Sequence, residues 1–235
     1  MKVQRHDILG VSYQESWDFQ SILHNGIKKY KAQNLRDQTS TLQKSLLLNH
    51  VVFCEHNDVI TLGKSATFSN LLFTEAELSE NDIEVFNINR GGDVTYHGPG
   101  QLTGYLIMDL ELLYRDVHRY VRNIEECIIR LLTKYDIVGH RHNDYTGVWI
   151  TDDKGSRKIC AIGVHLSRWV SMHGFGFNIN TDLSKFNNII PCGIDEKGMS
   201  VTSLAQELGH KVPMTKVKDQ MQLVLEEVFG LSFIH

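Results

Sequence analysis

The chain has 235 residues, with 24 Lys and Arg against 28 Asp and Glu, for a formal charge of −4 with His neutral. At 42% hydrophobic and 22% charged residues the composition is that of a globular protein. It excludes disordered and fibrous classes and gives no general pull towards nucleic acid. Four cysteines, at 54, 127, 160 and 192, form no CxxC pair; a disulfide scaffold and a zinc ribbon are therefore not expected, and free thiols fit a reducing compartment. No apolar run reaches the length of a signal peptide or a membrane span, so the expectation is a soluble, cytoplasmic protein with no membrane partner.

In chain order, residues 3–14 read as a first strand. Residues 15–34 read as an amphipathic helix with Trp17, Ile22, Leu23, Ile27 and Tyr30 along its stripe. The polar stretch 35–45 reads as a loop or a fraying helix end. Short apolar runs at 46–53 and 59–62 suit buried strands. Thr74 before Glu75, Ala76, Glu77 and Leu78 signals a capped short helix, and 83–88 a strand. Residues 90–104 break every period with five glycines and Pro99, and a strand follows at 102–110. The clearest helix is 116–135, whose residues Val117, Tyr120, Val121, Ile124, Cys127, Ile128, Leu131, Leu132 and Tyr135 form a core-facing stripe. Cys127 on that stripe reads as a small buried hydrophobe. Strands follow at 146–150, 157–165 and within 169–180, then helices near 202–208 and 215–229. No repeat or clean linker divides the chain. The mixture predicts an α/β or α+β fold with a central sheet.

Three features could carry chemistry. The loop Arg90-Gly-Gly-Asp-Val-Thr-Tyr-His97-Gly-Pro-Gly-Gln101 holds neither a GxxxxGK[ST] phosphate loop nor a GxGxxG dinucleotide turn. It reads either as a structural turn or as the lining of a site for an elongated or thioester-bearing substrate, with Thr95, Tyr96 and His97 offering polar atoms. Lys158 begins an apolar strand; alternation puts it on one face with Cys160, Ile162 and Val164. Cys192 stands between Pro191 and Gly193 on an irregular turn, where substrate can reach a thiol. A nearby cation stabilises a thiolate, and Lys158 could supply that charge. Sequence alone does not bring Lys158 and Cys192 together, and His97 is a rival base. His173 is a further histidine in a strand-end, glycine-flanked setting. His140 and His142 have strand-type ligand spacing without an evident third ligand, so no metal is expected. Arg115, Arg119 and Arg122 share a helix face and read as a solvated surface or as a docking patch for an acidic partner.

The motifs resemble those of the lipoyl(octanoyl) transferases. The resemblance runs through Arg90–Tyr105, Leu62-Gly63, Tyr145-Thr-Gly-Val-Trp149, Lys158-Ile-Cys-Ala-Ile-Gly163, Ser167–Phe175, Asn178–Leu183, Ile190-Pro-Cys-Gly-Ile194 and Val201-Thr-Ser-Leu204. It is strongest over 46–205, with 1–45 and 206–235 as extensions of one catalytic domain spanning 1–235. It implies the α+β (α/β) fold of the biotin and lipoate protein ligases, a mixed central sheet flanked by helices. It implies transfer of an octanoyl group from octanoyl-acyl carrier protein to a lysine of a lipoyl domain, as in the 2-oxoacid dehydrogenases and the glycine cleavage H protein. No cofactor is implied. Cys192 would form the acyl-thioester and Lys158 would lower its pKa and move protons. The acyl site would be lined by Arg90, Gly91, Gly92, Asp93, Val94, Thr95, Tyr96 and His97, by Ala161, Ile162 and Gly163, and by Gly174, Phe175 and Gly176. Glycine at 174 and 176 would leave room for the chain. Asp93 and Cys160 depart from the family pattern, which expects an uncharged polar and a small residue there. Arg115, Arg119 and Arg122, or Arg157 and Arg168, are candidates for a basic rim facing the acidic carrier. Two alternatives remain: an ATP-dependent lipoate or biotin ligase on the same fold, and a non-catalytic acyl-protein binding module.

Overall fold

The computed structural model describes residues 1–37, 49–191 and 198–234. The first strand is shorter than expected, β1 at Lys2–Ile8, because Gly10 takes a left-handed φ of 68°. Helix α1 then starts early, at Tyr13–Asp37. Ser12 caps it reciprocally with Glu15: the Ser12 Oγ accepts from Glu15 N, and the Glu15 carboxylate accepts from Ser12 N. Strands β2 (Asn49–Cys54), β3 (Val59–Leu62) and β4 (Glu84–Asn87) fall on the expected apolar runs, with 46–48 of the first run and 38–45 of the expected loop outside the described residues, and helix α2 (Glu75–Glu80) is capped by Thr74 in a full capping box.

The glycine-rich stretch is not one loop. Val94–His97 forms β5, antiparallel to β3, and Gln101–Ile107 forms β6. Helix α3 (Val117–Thr133) is capped by Asp116, whose side chain accepts from Arg119 N. Its buried stripe holds Tyr120, Ile124, Cys127, Ile128, Leu131 and Leu132, whereas Val117 at its first turn is 36% exposed. Then come β7 (His140–Arg141), β8 (Val148–Asp152), the long β9 (Gly155–Ser167), β10 (Val170–Asn178) and β11 (Met199–Val201). Helices α4 (Leu204–Leu208) and α5 (Met214–Phe229) and the last strand, β12 (Ser232–Ile234), close the chain.

The main sheet has the order β12-β1-β2-β6-β10-β9-β8-β7, with β11 also on β9; β4-β3-β5 form a separate small sheet. Parallel pairs (β1 with β2, β1 with β12, β9 with β11) mix with antiparallel ones, as expected for a mixed sheet. Alternation divides the main sheet's two faces. Val51 and Phe53 of β2, Leu106 of β6 and Phe175 and Phe177 of β10 pack with α3 and α5. Val52 and Cys54, with Tyr105 and Ile107, pack instead with Ile27 of α1. The small sheet has its own core of Ile60, Leu62, Leu78, Val94, Tyr96 and Phe186.

Helix α1 differs from the expected stripe. Ile22 is 68% exposed, while Tyr13, Ser16, Gln20, His24 and Ile27 are buried. Their spacing of three and four residues is helical, but most of the stripe is polar.

Candidate active site

A cavity lies between the sheet formed by β6, β10 and β9 and the covering segment 88–97. The sheet side contributes Thr103, Tyr105, Ala161, Ile162, Gly163, His173, Gly174, Phe175 and Gly176. The cover contributes Ile88, Arg90, Gly92, Thr95 and His97, and α1 contributes Tyr13. The register explains this lining. Gly176 pairs with Thr103 and Ala161, and Gly174 with Tyr105 and Gly163, so two rows of small or polar residues face the same side.

Four of the eight loop residues expected in the lining are there: Arg90, Gly92, Thr95 and His97. Gly91, Asp93, Val94 and Tyr96 are not. β5 alternates, so Val94 and Tyr96 point into the small-sheet core, where the Tyr96 hydroxyl donates to Asp58 Oδ1 at 2.6 Å. Gly91 donates its N–H to the Val164 carbonyl and Asp93 accepts from Val94 N and Asn70 Nδ2, so both hold the loop's shape.

Gly174 does not open room for a chain. A Cβ there would stand 2.1 Å from the Gly104 carbonyl oxygen, so the glycine allows two strands to approach. At Gly176 a Cβ would meet Gln101 Oε1 at 2.9 Å and His97 Nδ1 at 3.2 Å, in the polar wall of the cavity.

The histidines of this wall are neutral by construction. Gln101 donates its Nε2 to Tyr96 O and Asn178 Oδ1, which turns its Oε1 to His97 Nδ1, 2.6 Å away. An amide oxygen only accepts, so His97 carries its proton on Nδ1 and leaves Nε2 as a base. Burial, with the positive fields of His56 and Arg90, pushes the His97 pKa down to about 3. Burial pushes His56, which meets the Tyr105 hydroxyl at 2.6 Å, down to about 4. His173 sits at a left-handed φ of 62°; its Nε2–H donates to Asn89 Oδ1, and burial with the Arg90 charge brings it to about 3.

Lys158 joins this side of the sheet through a bulge. Trp149 pairs with Lys158 but Val148 pairs with Cys160, so Ile159 is an extra residue. The expected shared face of Lys158 and Cys160 is therefore broken. Cys160 points into the main core, where burial and the nearby Glu125 hold its thiol pKa well above the ordinary value. Lys158 lines a small cavity with Thr95, Ala161 and Gly176, three residues of the first cavity's wall. The residue is 5% exposed, and its ammonium stands 4.7 Å from the Trp149 ring centroid. Among the described residues it makes no ion pair.

Pro191 lines that same small cavity. It also lines a wider groove of about 370 Å³ that leads outward past Lys158, Phe186, Ile190 and Val201. Cys192, the residue after Pro191, lies outside the described residues. The first cavity encloses about 40 Å³, little more than the share of one liquid water molecule, about 30 Å³.

Residues that the sequence reading did not place in the site include Tyr13, Ile88, Thr103 and Tyr105. For Tyr13 the signal was present in the polar stripe of α1, where Tyr13, Ser16 and Gln20 recur at helical spacing. His140 bonds Thr151 Oγ1, and His142 packs on Tyr145 and Trp149, which accounts for both. No helix among the described residues is long and apolar enough to cross a membrane.

The residues 12–226 match the model of the lipoyl protein ligase A/B catalytic domain. The chain belongs to this family. Among its relatives is an octanoyltransferase of Cytophaga hutchinsonii, 48% identical over 223 residues that cover 94% of this chain and 90% of the relative. An octanoyltransferase of Flavobacterium psychrophilum is 45% identical over 234 residues, covering 99% of this chain and 98% of the relative. Among solved structures, the bipartite lipoate protein ligase of Thermoplasma acidophilum superposes with a TM-score of 0.72 at 13% identity. That likeness covers the whole of this chain and 86% of the ligase, and it establishes the lipoate-ligase fold.

Proposed function

We propose that this member of the lipoyl protein ligase A/B family is an octanoyltransferase that works through an acyl-thioester on Cys192. Octanoyl transfer follows from two relatives that match nearly the whole chain at 45% and 48% identity. The observation that carries the mechanism is the pairing of Lys158 with Pro191. A buried lysine without an ion-pair partner among the described residues lines the same two cavities as the residue before the cysteine.

The donor is octanoyl-acyl carrier protein. The Cys192 thiolate attacks the thioester carbonyl, forms the octanoyl–Cys192 bond and breaks the bond to the carrier sulfur. The Lys158 ammonium gives a proton to that leaving thiolate. The acceptor is the lysine of a lipoyl domain, as in 2-oxoacid dehydrogenases and the glycine cleavage H protein. Its amine attacks octanoyl–Cys192, Lys158 takes the amine proton, and the amide leaves with the Cys192 thiolate restored. Thioester exchange is close to balanced, and amide formation drives the second step, so no ATP is consumed. The octanoyl chain extends from Lys158 along the row of Ala161 and Gly176 towards Gly163 and Tyr105. The wall histidines stay neutral there and place no charge beside an apolar chain. Cys192 must stay reduced, which places the reaction in a reducing compartment such as the cytoplasm.

The test is transfer without nucleotide. Octanoyl-acyl carrier protein and an apo lipoyl domain, mixed with the enzyme, are expected to give an octanoylated domain by intact mass. Transfer from free octanoate that requires ATP would establish the ligase reading instead, and a complex without transfer would establish a binding module.

A further inference from the structure

Three of the five arginines that could form a basic rim are already matched by carboxylates. Arg115 pairs with Glu111, Arg122 with the buried Glu125, and Arg157 with both Asp152 and Glu207. Arg119 lies over the Tyr114 ring at 4.3 Å. The three paired arginines leave little positive charge to steer an acidic partner, and Arg119 is a single cation without an ion-pair partner among the described residues.

A different corner does. Residues 19–36, 59–74 and 154–181 contain no Asp or Glu, and these three stretches meet beside the covering loop of the active site. Lys64 follows β3, and its N–H donates to the Arg90 carbonyl. Val164 of β9 accepts from Gly91 N, so His165 lies at the outer end of that loop. The His24 ring of α1 stands 6.0 Å from the His165 ring. One turn on, Lys28 completes the patch, and burial with the Lys64 and Lys28 charges holds His165 below its ordinary pKa. Lys31 pairs with Asp109 and Glu111 and donates to the Arg168 carbonyl, which fixes the β9–β10 hairpin against α1. Lys64 and Arg168 are exposed and Lys28 half-buried; among the described residues none of the three has an ion-pair partner. In a chain of net charge −4 this is a segregated cationic face.

We propose that Lys28, Lys64 and Arg168, grouped around His165, form the docking surface for the acidic carrier domain that delivers the acyl thioester. The proposal rests on the acyl-carrier reading above and adds the place of contact. Charge complementarity selects this partner: an acidic domain meets three cations here that pair with no carboxylate among the described residues. The distance suits it as well. His165 lies seven residues along β9 from Lys158, about 23 Å at roughly 3.3 Å per residue. A carrier holds its thioester at the end of an extended prosthetic arm, so its protein surface docks away from the reacting carbon.

The test compares two donors, octanoyl-acyl carrier protein and octanoyl-pantetheine, which has no protein surface. The variants are Lys64→Glu, Lys28→Gln and the double Lys28→Glu/Lys64→Glu. For the carrier donor at low salt, the double variant is expected to raise KM by on the order of tenfold and to flatten its salt dependence. Acylation by octanoyl-pantetheine is expected to stay unchanged, which also shows that the variant is folded. Unchanged carrier kinetics would overturn the proposal. So would equal losses with both donors, or a raised KM for the lipoyl-domain acceptor alone. If the wild-type enzyme is acylated by neither donor, the octanoyltransferase reading fails with it; acylation by both without a charge effect removes only the docking surface.

Discussion

The two faces of the central sheet obey opposite rules. Towards α3 and α5, β9 and β10 present Cys160, Phe175 and Phe177 to Ile124, Cys127, Leu131 and Met221, all buried and apolar. Towards α1 and the small sheet, the same strands present Lys158, Ala161, Gly163, Gly174 and Gly176 to Thr95 and His97. The first face holds the fold by removing apolar surface from water. The second buries Lys158, Thr95, His97, Gly174 and Gly176 and leaves Ala161 and Gly163 half-buried; it keeps a lysine without an ion-pair partner among the described residues, neutral histidines and glycines. Burial therefore does not separate structure from function here; what each buried group is bonded to does.

The largest expected effect is on the second face. Lys158→Ala is expected to lower kcat by about 10²–10⁴-fold, the range for losing a positioned acid–base group. It should also shift the pH profile of Cys192 alkylation upward. An unshifted profile would move the proton role to His97, whose Nε2 is the alternative base. On the first face, Leu131→Ala should cost about 2–5 kcal/mol of stability by leaving a cavity. Activity per folded molecule should be retained, as denaturant unfolding and kinetics together would show.

The histidines give a pH test of the second face. His56, His97 and His173 are held at about 4, 3 and 3, against about 6.5 in the unfolded chain. Below pH 6.5 the unfolded chain binds protons that the folded one refuses, so stability is full above 6.5 and falls as pH drops towards 3–4. Urea midpoints measured from pH 7.5 to 4.5 are expected to decline steadily, and His97→Gln should make the decline shallower. A flat curve would mean that these rings are not buried as neutral bases. The smallest expected contrast lies within β5. Tyr96→Phe loses the hydrogen bond to Asp58, about 1 kcal/mol, with no change in kcat. Thr95→Val leaves stability intact and changes KM for the acyl donor.

The first face was legible in the sequence because apolar periodicity reports it directly. The α3 stripe from Tyr120 to Leu132 was read correctly, and the helix expected near 215–229 is α5. The second face defeated the same signal. On α1, periodicity favoured Ile22, while the chain buries Ser16, Gln20 and His24 against the sheet. β5 hid inside a glycine-rich stretch, and a single bulge at Ile159 moved Lys158 to the opposite face from Cys160. Alternation cannot foresee a bulge, since one extra residue inverts every side chain beyond it. Arg90, His97 and Lys158 were legible as unusual residues in unusual settings, and the family resemblance joined them with Cys192, which lies outside the described residues. The short strands β7, β11 and β12 were not, because two or three residues carry no period.

The most direct test of the acyl-thioester is the enzyme alone with octanoyl-acyl carrier protein, in the absence of ATP and acceptor, followed by intact mass and peptide mapping. One octanoyl group on Cys192 is expected, absent in Cys192→Ser and still formed in Cys127→Ala and Cys160→Ala. An adduct that survives Cys192→Ser, or multiple turnovers by that variant, would contradict the covalent mechanism.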